Sequence, residues 1–397
     1  MRLNRSIVQS FAIVSLLISI TVAFPLTTDM VRSFSIQTRY ASLAMTALTV
    51  ILLVLSIKGN RVLLISVFSF LLLYLYGMLL AAFMGGIGTA MDFLPMTIFL
   101  CLLGLLIVSQ RSIVVTQSEA RILVFYIFVF MLVTIVYGGL VMSMPPHYVF
   151  QIQTESHGSI VRYGQGVTKF FGFGVVLCGF LLQSESSVKI RALFLTIALV
   201  FLLLTLMGGA RGDALAALLV FLFIVATRMP LRTKVLTIIV MALFVLLILT
   251  YVGLDSFLIL GRLAVILEGS AGARDEIYAN ALQLMGEDIQ CTLIGCGFNY
   301  FQHSLQLNAG RYPHNQLLEG IIVWGVPLTV GVMMFTLYGL FRALREKGNN
   351  DAFPYITIFF LLIGMKSGSI ISSWLFIISV FYYFSFGLDC VLSKRRR

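Results

Sequence analysis

The sequence predicts an all-α polytopic membrane protein with about twelve transmembrane helices and one large, partly helical loop between the ninth and the tenth. Composition, the spacing of apolar runs and the placement of positive charge carry that expectation. Of 397 residues, 60% are apolar and only 11% are charged, with a mean hydropathy of +1.03. Soluble domains carry apolar content nearer half and about 25% charge. Lipid, rather than water, is therefore the solvent for most of the chain. Unsatisfied backbone groups cost several kcal/mol in a bilayer core, so repeated apolar runs of about 20 residues read as helices. The alternating segments of about ten residues that mark a β-barrel are absent from the sequence.

The runs fall at roughly 7–25, 40–57, 62–83, 94–109, 121–142, 167–183, 190–208, 212–227, 233–253, 317–341, 354–366 and 369–391. The first follows Arg2 and Arg5. It is either a cleaved signal peptide or a retained helix, and its length and the poor cleavage site Thr21-Val22-Ala23 favour retention. Gly208-Gly209-Ala210-Arg211-Gly212 joins the seventh and eighth runs so tightly that they form a hairpin, and the short eleventh run is either a span or re-entrant. Residues 1–397 thus read as a single transmembrane domain in which 254–316 form an outer, periplasmic loop.

Charge sets the orientation, because cytoplasmic loops retain Lys and Arg. With the N-terminus inside, eighteen of the 27 Lys and Arg fall in short inner segments, and both termini are cytoplasmic. The other nine, Arg32, Arg39, Arg162, Lys169, Arg211, Arg262, Arg274, Arg311 and Lys366, are spread over much longer outer sequence. A net charge of +11 distributed in this way serves topology, and nucleic acid is not an expected partner. The outer stretch between runs nine and ten spans roughly 60 residues, a length that usually carries function. Tyr278, Leu282, Leu284, Ile294, Phe298, Tyr300 and Phe301 give it apolar material to pack; helical spacing runs from about Gly272 to Met285, and a turn follows at Gly295 to Gly297. A second outer loop, about 143–166, holds Pro145, Pro146, His147, His157 and Arg162.

Among these outer residues, Arg211 stands near membrane depth, where an unpartnered arginine costs at least about 2.5 kcal/mol. It is either an ion-pair partner of Asp213 or a bidentate anion binder. Arg274 opens Ala273-Arg274-Asp275-Glu276-Ile277-Tyr278 and is either a surface arginine paired with Asp275 or Glu268, or part of the same anion site. His314, in Tyr312-Pro313-His314-Asn315-Gln316, sits at the mouth of the bundle, either as an ordinary interfacial histidine or as a general base toward a hydroxyl. Glu319 lies farther along the same helix, near the face of His314 and Asn315. The cysteines form no metal-ligand pattern; Cys291 and Cys296 fall in a polar stretch where an oxidising compartment would allow a small disulfide loop. The outer acids Asp29 and Asp92 stand singly, which disfavours a metal centre, and no cofactor is expected.

The segment PHNQLLEGIIVWG, with His314-Asn315 followed after nine residues by Gly325, resembles the His-Asn signature of the O-antigen polymerase and O-antigen ligase family, integral-membrane glycosyltransferases of lipopolysaccharide assembly. IGCGFNYF followed by RYPHNQLLEG is similar to the family's glycine turn leading into that helix. GGARGDALAALLV resembles its arginine-glycine hairpin, and GARDEIYANAL its loop arginine followed by an aromatic. The resemblance covers the order of features from about 200 to 345. It implies glycan transfer from undecaprenyl diphosphate to a sugar hydroxyl at the periplasmic face of the bacterial inner membrane, without a metal. On that reading Arg211 and Arg274 stabilise the departing diphosphate and His314 takes the proton of the acceptor. Asn315, Glu319, Arg162, Arg311 and Tyr312 are then candidate substrate contacts, with membrane lipid and a chain-length regulator protein as further partners. Leu328, where the ligase pattern expects a small residue or tyrosine, favours a polymerase; a ligase that passes the glycan to lipid A-core and a transporter of lipid-linked oligosaccharide remain the alternatives.

Overall fold

A computed structural model describes residues 5–21, 61–84, 94–136, 140–142, 150–156, 159–163, 165–207, 211–252, 273–307, 312–371 and 373–394. The apolar runs within them form helices: α1 Arg5–Thr21, α2 Arg61–Phe83, α3 Leu94–Ser109, α4 Gln117–Val136, α5 Gln165–Ser184, α6 Val188–Met207, α7 Arg211–Arg228 and α8 Leu231–Val252. After these come α9 Ala273–Glu287, the single turns α10 Ile289–Leu293 and α11 Tyr300–Ser304, then α12 Gln316–Trp324, α13 Val326–Lys347, α14 Phe353–Gly364 and α15 Trp374–Lys394. Among the described residues, four helices, α2, α6, α13 and α15, are long and apolar enough to cross a membrane, and several shorter apolar helices accompany them. The predicted second run, 40–57, lies outside the described residues.

The surface of α2 identifies its solvent. Leu64, Phe68, Leu72, Leu75, Leu79 and Phe83 form one helical stripe and are each more than half exposed. The opposite face buries Ser66, Phe70, Tyr74 and Gly77. A helix in water would turn its apolar stripe inward. Here the polar groups are inside and hydrogen-bonded, as a lipid environment requires.

Two expectations need revision. The tenth run is not one continuous helix; it breaks at Gly325, which closes α12 with φ +81° and starts α13. A Cβ at Gly325 would stand 2.5 Å from the Leu293 carbonyl oxygen, so only glycine fits this approach. The fifth run and the loop after it also differ from an all-helical reading. The helix α4 ends at Val136, and β1 Leu140–Met142, β2 Phe150–Ser156 and β3 Ser159–Tyr163 form an antiparallel sheet in the order β1-β2-β3. Ile152 is paired with both Leu140 and Tyr163.

The chain divides into two compact units. The first contains 1–49, 113–270 and 348–359. Its core is built on α5, which packs against α4, α6 and α7 through an aromatic run: Phe130 to Phe170 at 4.8 Å, Phe170 to Phe171 at 5.6 Å and Phe171 to Phe201 at 5.8 Å. One end of this unit gathers four segments expected on the same side of the membrane. The buried Asp351 carboxylate accepts the backbone N–H groups of Val114 (3.0 Å), Val115 (2.9 Å) and Phe353 (3.0 Å). Gln183 donates to the Gly348 carbonyl at 3.1 Å, and Arg228 donates to Asn349 at 3.1 Å. Arg121 pairs with Glu185, whose carbonyl accepts from Arg191 Nε. These contacts bring together segments whose positive charges obey the predicted alternation.

The second unit contains 50–112, 271–347 and 360–397. It too sorts by predicted side. The expected inner ends of α2, α3 and α15 meet through Ser66 and Ser109 at 3.2 Å and through Arg61 and Asp389 at 4.0 Å. The opposite end of this unit carries the candidate site.

Replacing Asp351 with alanine strips three backbone N–H groups of their buried acceptor and is expected to lower stability by about 3 kcal/mol or more. Thermal unfolding in detergent measures it, and an unchanged melting temperature would contradict this account of the junction.

Candidate functional site

The short helix α12 is fixed at both ends and along one side. Asn315 caps its start: Oδ1 accepts from Leu317 N at 2.9 Å and Leu318 N at 3.2 Å, satisfying two of the donors that a helix N-terminus leaves open. At the other end Cys296 N and Gly297 N donate to the Ile322 and Val323 carbonyls at 2.7 and 3.2 Å. The outer loop therefore closes this helix by supplying its missing C-terminal partners.

That loop is an ordered body over 273–307. Ala281 and Leu284 of α9 pack with Phe301 of α11 against Ile322 of α12. Asp288 caps α10 through Cys291 N and accepts the Tyr300 hydroxyl at 3.1 Å. Burial, reinforced by the hydrogen bond and charge of Asp288, raises the Tyr300 phenol above its ordinary value. Cys291 and Cys296 form a disulfide across a Cα separation of 4.8 Å. Asp288 lies within 4.8 Å of both sulfurs, but disulfide sulfurs are not the thiolates a metal would need. The turn then lies against α2. Phe298 N donates to Gly77 O at 3.3 Å, Tyr76 donates to Ile294 O at 2.7 Å, and Gly297, at φ +83°, sits where a Cβ would strike the Ala81 backbone nitrogen.

The side of α12 is held by Glu319. Its buried carboxylate accepts from Ser369 Oγ at 2.6 Å and Ile370 N at 2.8 Å. Ser369 and Ile370 belong to the non-helical stretch 365–373 between α14 and α15. Tyr74 OH donates to Ile370 O at 2.6 Å, Thr97 Oγ1 donates to Ile371 O, and Trp374 Nε1 donates to Thr97 Oγ1 at 3.3 Å. Irregular backbone persists at membrane depth only when protein groups satisfy it, and Tyr74, Thr97 and Glu319 supply that here.

His314 stands immediately before the cap, half-buried, with its ring 4.2 Å from that of Tyr312. Its φ of +54° is left-handed, a conformation that costs a non-glycine residue roughly 1–2 kcal/mol and that concentrates at functional positions. The described geometry therefore brings His314, Asn315, Tyr312 and Glu319 to one helix, while directing the Glu319 carboxylate to Ser369 and Ile370. Arg211 is the first residue of α7 and Arg274 the second of α9. Their side chains, that of Arg162 on β3, and all of Arg311 lie outside the described residues.

Sequence reasoning missed Ser369, Ile370, Tyr74 and Thr97 as partners of this helix. The available signal was the small, polar stretch Gly364-Met365-Lys366-Ser367-Gly368-Ser369 interrupting two apolar runs. No protein-family model and no curated protein matches the chain, so its own geometry and chemistry carry the reading.

Glu319→Ala leaves Ile370 N–H without its acceptor, at an expected cost of about 1–3 kcal/mol. Amide hydrogen exchange over 366–371 is expected to speed up in this variant and less in Glu319→Gln, which keeps an acceptor oxygen. Identical exchange in wild type and both variants would contradict the role given to the carboxylate.

Proposed function

We propose that the chain is a surface-polysaccharide polymerase that joins undecaprenyl-diphosphate-linked oligosaccharide repeat units by metal-independent glycosyl transfer. The proposal includes twelve spans in a bacterial inner membrane, both termini in the cytoplasm and the working face in the periplasm. The observation that carries it is His314 in a left-handed conformation at the capped start of α12, beneath an ordered loop expected outside the membrane. The described α13 takes the place of the tenth predicted span, and α12 leads into it.

The chemistry requires an acceptor hydroxyl to lose its proton as its oxygen forms the new bond to the donor's anomeric carbon. The bond from that carbon to the diphosphate breaks, and the leaving group departs with negative charge. His314 is the base in this scheme, and its imidazole takes the hydroxyl proton. Arg211 and Arg274 are the groups assigned to the diphosphate. Each stands in the first turn of a helix, where backbone N–H groups and the helix dipole also favour an anion. Asp213, buried in the first turn of α7, is the alternative partner for Arg211. Asn315 spends its carbonyl oxygen on the cap, so its remaining contribution to substrate is as a donor.

A ligase using the same donor shares this chemistry and differs in its acceptor. A specific observation also favours a second class: the buried non-helical stretch between α14 and α15 is the kind of broken helix that transporters use at their binding sites. Purified protein that elongates lipid-diphosphate glycan in detergent, where no gradient exists, is expected for the polymerase and not for a transporter.

Deletion of the gene is expected to leave lipopolysaccharide with a single repeat, and core with no repeat would indicate the ligase. Complementation with His314→Ala is expected to fail, with turnover in detergent down by about 100-fold or more. Full activity of that variant would overturn the assignment of the base.

A further inference from the structure

A cavity in the second unit, separate from the contacts made by Glu319, carries polar atoms that nothing in the fold uses. It occupies about 460 Å³ beside α12, between α13 and α15. Val332 and Met333 of α13 and Phe381 of α15 line it, and none of its lining residues carries a charge. Three buried polar atoms on lining residues have no hydrogen-bond partner: Gln316 Oε1, Trp324 Nε1 and Thr329 Oγ1. All three side chains are more than nine-tenths buried.

The fold shapes itself around these groups. Gln316, Gly320 and Trp324 recur at four-residue intervals along one face of α12. A Cβ on Gly320 would meet Thr329 Cγ2 at 3.2 Å and Trp324 Cε3 at 3.6 Å, so both side chains lie over that glycine. Gly364 and Gly368 leave room for the Gln316 amide, since a Cβ on either would collide with it. An unpaired buried amide oxygen or indole N–H costs about 1–3 kcal/mol each, and three around one cavity call for an occupant.

We infer that this cavity binds an uncharged membrane amphiphile through a free hydroxyl group, with its hydrocarbon against the apolar walls. The complement is specific. Gln316 Oε1 needs a donor, Trp324 Nε1 needs an acceptor and Thr329 Oγ1 can serve as either, so a hydroxyl satisfies both kinds of need with one atom. The absence of charge from the lining excludes a diphosphate or carboxylate head, whose burial would go uncompensated. Two of the walls are helices able to span a membrane, so the occupant is drawn from the lipid phase. This inference does not depend on the glycosyltransferase reading, because the site lacks the cations and base that the reading requires.

Dioctanoylglycerol and its O-methyl ether distinguish the occupant, because the ether lacks the hydroxyl donor while keeping the hydrocarbon. Trp324 is one of two tryptophans, so full-length Trp374→Phe protein in detergent reports on the cavity by fluorescence, and radiolabelled dioctanoylglycerol provides the same comparison in wild type. The free hydroxyl is expected to give saturable binding about tenfold or more tighter than the ether. Gln316→Leu and Thr329→Val are expected to narrow that preference. Equal binding of alcohol and ether by wild type, or no saturable binding of either, would overturn the inference and leave ordered water as the cavity's content.

Discussion

The second unit depends on a buried carboxylate pinning an irregular backbone to a short helix. Glu319 takes Ser369 Oγ and Ile370 N, while Tyr74 and Thr97 take the carbonyls of Ile370 and Ile371. Together these contacts let the chain between α14 and α15 leave helical geometry without stranding its hydrogen-bonding groups. A lipid-facing backbone would tolerate no such break. The same contacts fix the height and rotation of α12, and therefore the place from which His314 emerges.

The outer loop acts on the same helix from its other end. Cys296 N and Gly297 N cap the last carbonyls of α12, the Cys291–Cys296 disulfide closes the turn that offers them, and Ala281, Leu284 and Phe301 pack onto Ile322. Loop and helix thus form one structural element. A loop anchored in this manner can hold the start of α9, where Arg274 stands, at a defined distance from α12.

Much of this was legible because lipid simplifies the sequence. Every predicted apolar run with described residues contains a helix, since hydrocarbon leaves the backbone little alternative. The positive-charge alternation anticipated that Arg121, Arg191, Arg228 and the Asp351 loop would gather at one end of their unit. The helix beginning near Gly272 and the turn at Gly295 to Gly297 were also readable, from 3.6-residue spacing and paired glycines. The break at Gly325 was not, because apolar residues continue through it and the reason for the glycine is a carbonyl of Leu293, distant in sequence. Nor could Glu319 be assigned to Ser369, fifty positions away. The small sheet β1-β2-β3 went unread because its strands are short and lie between proline and glycine signals that suggest only a loop.

The central claim is that two guanidinium groups and one imidazole serve a single lipid-diphosphate site on the side opposite the cytoplasm. A cryo-electron microscopy structure of the full chain in a lipid nanodisc with an undecaprenyl-diphosphate glycan tests it directly. The account predicts Arg211 and Arg274 in hydrogen-bonding contact with the diphosphate and the His314 ring facing the sugar end of the same cavity. Guanidiniums bound elsewhere, or His314 on the cytoplasmic side, would contradict it.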